Sequence, residues 1–125
     1  MTPVQVLPKK ILVVEDDTAT RHALTQLLRE EGYAVAGVAN GREAIDRLRE
    51  RGAPDLILLD LWMPVMDGRQ FRTEQRRDPT LASVPVVLLS ADGTIQQDAA
   101  AIGADEFLQK PFELDNLLDT VHRWC

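Results

Sequence analysis

Six polar residues stand where chemistry could be built: Glu15, Asp16 and Asp17 together, then Asp60, Ser90 and Lys110. Each lies at or just beyond the end of a short apolar run. ILVV (11–14) precedes the three acids, LILL (56–59) precedes Asp60, PVVLL (85–89) precedes Ser90, and DEFLQ (105–109) precedes Lys110. Gathered at one edge of a fold, the carboxylates would repel one another in a partly dry cleft. One lysine does not offset them, so a hard divalent cation is the physical expectation. Oxygen-only donors suit Mg²⁺, with Mn²⁺ as a possible substitute, and do not suit zinc. Taken singly, each residue has a plainer use. The acids could cap a helix, Asp60 could open a turn, Ser90 could be a helix cap, and Lys110 could be a solvated loop residue. Lysine usage favours the combined reading. The chain has three lysines against eleven arginines, and Lys110 is the only one after Lys10. A compact ammonium does a different job from an arginine fork.

These residues converge only if the intervening segments form the right elements. After ILVV, residues 18–31 follow a helical pattern with Ala23, Leu24, Leu27 and Leu28 on one face, and Gly32 sits at a helix end. YAVAGVA (33–39) reads as a strand. Asn40 caps a helix that closes at Gly52. LILLD is a strand, and MPVMDG a loop in which Pro64 and Asp67-Gly68 turn the chain into a helix over about 69–77. VPVVLLS (84–90) is a strand, a short helix ends at Ile102 before Gly103, DEFLQ is the last strand, and a final helix carries Leu114, Leu117, Leu118 and Val121. Strand then helix therefore repeats five times. Apolar runs without alternation mean strands buried on both faces, hence a parallel sheet between helix layers. Right-handed crossovers make this an α/β, doubly wound, five-stranded parallel sheet: a flavodoxin-like (βα)5 three-layer sandwich. Such sheets work at the carboxyl ends of their strands, where the six residues stand. Residues 1–9 read as an N-terminal arm and 10–125 as a single domain.

Composition narrows the function. Hydrophobic residues make up 45% and charged ones 27% of the 125 residues, which is ordinary for a folded domain. A net charge of −6 repels phosphate backbones, so direct nucleic-acid binding is not expected. Two basic stretches, Arg42, Arg47, Arg49 and Arg51 and then Arg69, Arg72, Arg76 and Arg77, read as solvated helix faces paired with nearby acids. A single cysteine, Cys125, forms no disulfide within the chain. With no signal-peptide pattern and no long apolar run, the expectation is a cytoplasmic protein without a membrane segment.

ILVVEDD, LILLDLWMPVMDG, VVLLSA and FLQKPF, in this order and spacing, resemble the receiver domain of two-component response regulators. The single-domain chemotaxis response regulator is a familiar member, and the resemblance spans roughly residues 9–124. It implies that Asp60 is the phosphoacceptor, taking a phosphoryl group from a sensor histidine kinase or a histidine phosphotransfer protein. It implies that Asp16, Glu15 (largely through metal-bound water), Asp60 and the backbone carbonyl of Trp62 hold Mg²⁺. Lys110 and Ser90 would contact phosphoryl oxygens. Ser90 and Phe107 would form a switch pair read by a downstream protein on the face of helix four, strand five and helix five. Many members have tyrosine where Phe107 stands, so the switch would work by ring burial alone; the plainer role of Phe107 is a core aromatic. Trp62 departs from the small or polar residue often found there. Its bulk, with Asp92 across the cleft, is expected to tune the lifetime of the acyl phosphate.

The alternatives are weaker. A phosphatase of the haloacid dehalogenase type needs a second aspartate two residues after the first, where Trp62 stands. A dinucleotide binder needs glycines after the first strand, where this chain has acids. A receiver-shaped interaction scaffold that is never phosphorylated would not need the full acidic, serine and lysine set. The chain is thus expected to switch partners rather than turn over substrate as an enzyme, apart from self-catalysed phosphorylation and slow autodephosphorylation. Its start favours a stand-alone or N-terminal receiver. Helix four lacks basic residues for dimer ion pairs, which favours a monomer before activation.

Overall fold

A computed structural model describes residues 7–125. Five strands alternate with five helices: β1 Lys10–Val14, α1 Thr18–Glu30, β2 Ala34–Val38, α2 Gly41–Arg51, β3 Leu56–Asp60, α3 Gly68–Arg77, β4 Val86–Ser90, α4 Ile95–Ile102, β5 Glu106–Gln109 and α5 Leu114–Trp124. The strands form one parallel sheet in the order β2-β1-β3-β4-β5. This is the expected flavodoxin-like three-layer sandwich. Of the expected arm, residues 7–9 have no regular structure, and residues 1–6 lie outside the described residues.

The apolar runs explain the layers. Successive strand side chains point to opposite faces. Leu12, Val14, Ile57, Leu59, Val86 and Leu88 meet α2, α3 and α4 through Ile45, Leu48, Phe71, Ile95 and Ile102. Ile11, Val13, Leu56, Leu58, Val87 and Leu89 meet α1 and α5 through Leu24, Leu28, Leu117 and Val121. Each fully buried aliphatic or aromatic side chain contributes ~1.5–3 kcal/mol. With both faces covered, the three central strands have no polar alternation to show.

Local signals set the boundaries. Asp17 accepts from Thr20 N at 2.9 Å and caps α1. Asn40 accepts from Glu43 N at 2.9 Å and caps α2. Asp67 and Gln70 form a reciprocal capping box at α3. Gly103 ends α4 at φ 67°, in the left-handed region that favours glycine.

Three expectations need correction. Ala23 is exposed and Thr25 is buried in its stead, its hydroxyl donating to the His22 carbonyl at 3.0 Å. Leu114 is exposed at the start of α5 rather than packed in the core. Arg72 is not solvated: it lies buried between α3 and α4. There its Nε donates to the Ile102 carbonyl at 3.1 Å and its Nη2 to the Gly103 carbonyl at 2.8 Å. The other basic residues fit the surface reading better, with Arg42 on Asp46, Arg69 on Asp98 and Arg77 on Glu74.

Candidate functional site

Strand register brings the chemistry to one edge. Val14 is level with Leu59, so Glu15 emerges beside Asp60. Asp60 is level with Leu89, one residue before Ser90. Ser90 is level with Gln109, and the next amide, Lys110 N, donates to the Ser90 carbonyl at 2.8 Å. Residues 15, 60, 90 and 110 therefore share the carboxyl end of the sheet.

Two features hold that edge in shape. Arg21, on α1, donates from Nη1 to the Glu15 carbonyl at 2.9 Å and to the Asp16 carbonyl at 3.4 Å. Sequence reasoning missed this residue. The signal was its place about one turn and a half past the acids, as the first cation after them. Gly68 N donates to the Leu61 carbonyl at 2.9 Å, closing the β3–α3 loop tightly. A Cβ at Gly68 would stand 2.8 Å from the Asp60 carbonyl oxygen and 3.0 Å from Leu61 Cα. Glycine is needed there for close approach, a role its place after Asp67 did not reveal.

Glu15, Asp16 and Asp60 each offer a carboxylate oxygen, all within 4.8 Å of one another. Glu15 is 1% exposed, Asp60 7%, and Asp16 is open to solvent. Lys110 Nζ reaches Glu15 Oε2 at 2.6 Å and Asp60 Oδ1 at 3.9 Å. Burial, reinforced by the Glu15 charge and by Asp16, pushes the Asp60 carboxyl up to about 7, while Lys110 pulls the other way. Three clustered oxygens with one ammonium are short of positive charge. That donor set fits a hard divalent cation. Asp17, the third acid of the run, turns away to cap α1 and takes no part in the cluster.

The remaining site residues frame the cleft. Ser90 is buried, and its Oγ accepts from Asp92 N at 3.1 Å, leaving the hydroxyl proton available to donate. Trp62 is 55% exposed, two residues past Asp60. The Thr94 backbone and hydroxyl hold the Asp92 carboxyl below its ordinary value, with the Trp62 indole contributing. Trp62 and Asp92 follow the carboxyl ends of β3 and β4, two residues past Asp60 and Ser90 respectively. Phe107 is 37% exposed on the edge strand β5, level with Leu88. It is not the core aromatic that its type suggests.

A sheet of this order, with acids, a serine and a lysine at its carboxyl edge, defines a receiver. The family model for the response regulator receiver domain matches residues 11–122, and the chain belongs to that family. Among curated relatives, the response regulator MprA of Mycolicibacterium vanbaalenii is 38% identical over 114 residues, covering 90% of this chain and 48% of that protein. The MprA of Mycobacterium bovis (strain BCG / Pasteur 1173P2) is 37% identical over 111 residues. The chain thus spans about half the length of the curated relatives it matches. The chemotaxis protein CheY4 of Vibrio cholerae superposes with a TM-score of 0.84 at 32% identity, covering 94% of this chain and 99% of that one. The receiver domain of the sensor histidine kinase PA1611 of Pseudomonas aeruginosa PAO1 also gives 0.84, at 34% identity, over 94% and 97% of the two chains; that structure has a magnesium ion coordinated in its active-site cleft. Among the described residues, no helix is long and apolar enough to cross a membrane.

Proposed function

We propose that this receiver is a phosphorylation switch in which Asp60 takes a phosphoryl group from a phosphohistidine. The observation that carries the reading is the convergence of Glu15, Asp16 and Asp60 beside Lys110. An Asp60 carboxylate oxygen attacks phosphorus, the phosphorus–nitrogen bond to the donor histidine breaks, and its electron pair leaves with the imidazole. The product is an acyl phosphate on Asp60.

Glu15, Asp16, Asp60 and the backbone carbonyl of Trp62 would hold Mg²⁺, or Mn²⁺ in its place. When bound, the cation neutralises phosphoryl charge and fixes the nucleophile against it. The protein supplies position. Lys110, whose Nζ already lies 3.9 Å from Asp60, pairs with one phosphoryl oxygen. The Ser90 hydroxyl donates to another. This is electrostatic preorganisation, which is most of what phosphoryl transfer asks of a protein.

As Ser90 is drawn to the phosphoryl group, the Phe107 ring moves from its exposed position toward the sheet. The face of α4, β5 and α5 then changes, and a downstream protein reads it as a shift between two packings. The donor is a sensor histidine kinase or a histidine phosphotransfer protein in the cytoplasm. The domain binds no nucleic acid directly and turns over no separate substrate, beyond catalysing its own phosphorylation and slow dephosphorylation.

The test is to incubate the chain with acetyl phosphate and Mg²⁺ and weigh it. One added phosphoryl group, lost on adding chelator beforehand, is the expected result. An unmodified mass would leave the interaction-scaffold reading in its place.

A further inference from the structure

At the end of the sheet opposite Asp60, a half-open cavity of about 350 Å³ lies between the amino ends of β1 and β2 and the last turns of α2. Its origin is legible in β2. Val35 faces the α1 side, while Ala36 and Val38 face the α2 side, so Ala34 shares the face of Ala36. Two methyl groups stand where α2 would otherwise meet bulky side chains. Leu12 and Leu48 supply the remaining apolar wall, and the volume is at the small end of the ~300–1,000 Å³ usual for ligand sites.

The charges around this cavity have one sign. Lys10, Arg47 and Arg51 line it, and no acidic residue does. Among the described residues, none of these three side chains forms an ion pair or a side-chain hydrogen bond, whereas Arg42, Arg69, Arg77 and Arg123 all have carboxylate partners. Asp55, beside the cavity, is engaged by the Lys10 backbone amide at 2.7 Å. Arg47 and Arg51 are four residues apart, hence on one face of α2. The carboxyl end of α2 contributes roughly half a negative charge, which three full cations outweigh. Arg49 and Arg76 are likewise unpaired among the described residues, but only Arg47 and Arg51 stand over an apolar floor in this cavity. Arginine forks suit two-oxygen anionic heads.

We infer that this cavity is a binding site for a small amphiphilic organic anion. Its carboxylate or phosphate head lies between Arg47 and Arg51, and its apolar body rests on Ala34, Ala36 and Leu48. The inference does not depend on phosphorylation at Asp60.

The test titrates the full 125-residue chain with octanoate and, separately, octyl phosphate, following backbone amide shifts by NMR. Octanol and octylammonium are the controls. Saturable shifts at Ala34, Ala36 and Leu48 are expected with the two anions only, and the tighter anion identifies the preferred head. The Arg47→Gln/Arg51→Gln double variant should bind at least ~10-fold more weakly, as two charge-assisted hydrogen bonds are lost. Ala34→Phe, which fills the cavity from an exposed position, should abolish binding. Both variants should still be phosphorylated like wild type by acetyl phosphate, which reports on Asp60 separately. No saturable shift, equal binding of octanol, or unweakened binding by the double variant would overturn the inference.

Discussion

Lys110 sits closer to Glu15 than to Asp60, at 2.6 Å against 3.9 Å. The one ammonium of the site is engaged mainly by the more buried carboxylate, so Asp60 is incompletely compensated. Burial, with the Glu15 charge beside it, raises its carboxyl from 3.8 to about 7, and Lys110 offsets only part of that rise. Below 3.8 the Asp60 proton is bound in both the folded and the unfolded chain. Between 3.8 and 7 only the folded chain keeps it, so stability falls as pH rises through about 7. The slope is at most ~1.4 kcal/mol per pH unit. Urea unfolding of wild type should therefore give less stability at pH 8 than at pH 5, and Asp60→Asn should remove most of that difference. Comparing the two proteins cancels the titrating groups remote from Asp60. An identical pH slope in the variant would contradict the raised Asp60 value.

Gly68→Ala tests the tight closure behind the nucleophile. The new methyl would meet the Asp60 carbonyl oxygen at 2.8 Å and the Leu61 Cα at 3.0 Å, and neither can swing aside. Overpacking of this kind costs ~1–3 kcal/mol. Phosphorylation by acetyl phosphate should slow as well, because Asp60 is displaced with its own backbone. Gly93→Ala is the control, since a Cβ there meets nothing within 4 Å. Urea midpoints and phosphorylation rates for the two variants should differ clearly; matching values would contradict the packing account.

Arg72 ties α3 to the end of α4. Its three donor nitrogens engage the Ile102 carbonyl, the Gly103 carbonyl and Gln75 Oε1. Arg72→Ala strands two carbonyls, at a cost of ~3 kcal/mol. Arg72→Lys should restore less than half, because an ammonium lacks the planar fork. Hydrogen exchange should quicken across α4 in both variants. Unchanged α4 protection would mean that the latch does not hold that helix.

Trp62 lies two residues past Asp60, beyond the carboxyl end of β3, and its indole is half open to solvent. Trp62→Ala should shorten the lifetime of the acyl phosphate severalfold by admitting water. The decay of radiolabelled protein after donor removal measures it directly. Equal lifetimes would remove Trp62 from that role.

Much of this was legible in the sequence. The central strands are buried on both faces, so their apolar runs marked strands and their ends marked the site. Asn40, Asp67 and Gly103 showed helix boundaries because capping is local chemistry. What escaped was non-local. Arg72 lies in a row of arginines, and nothing in that spacing reveals that α4 ends against it some 30 residues later. Phe107 looks like a core residue by type, yet β5 is an edge strand and leaves the ring partly exposed. Asp17 and Asp16 are neighbours of the same charge, and only the geometry of α1 separates the cap from the cluster.

The most direct test of the central claim locates the phosphoryl group. Phosphorylated protein is treated with borohydride, which reduces an aspartyl phosphate to homoserine, and the digest is mapped by mass spectrometry. Homoserine at position 60, absent in Asp60→Asn and absent without a divalent cation, is the predicted result. Homoserine at another position, or none from protein that carries the added mass, would contradict Asp60 as the nucleophile.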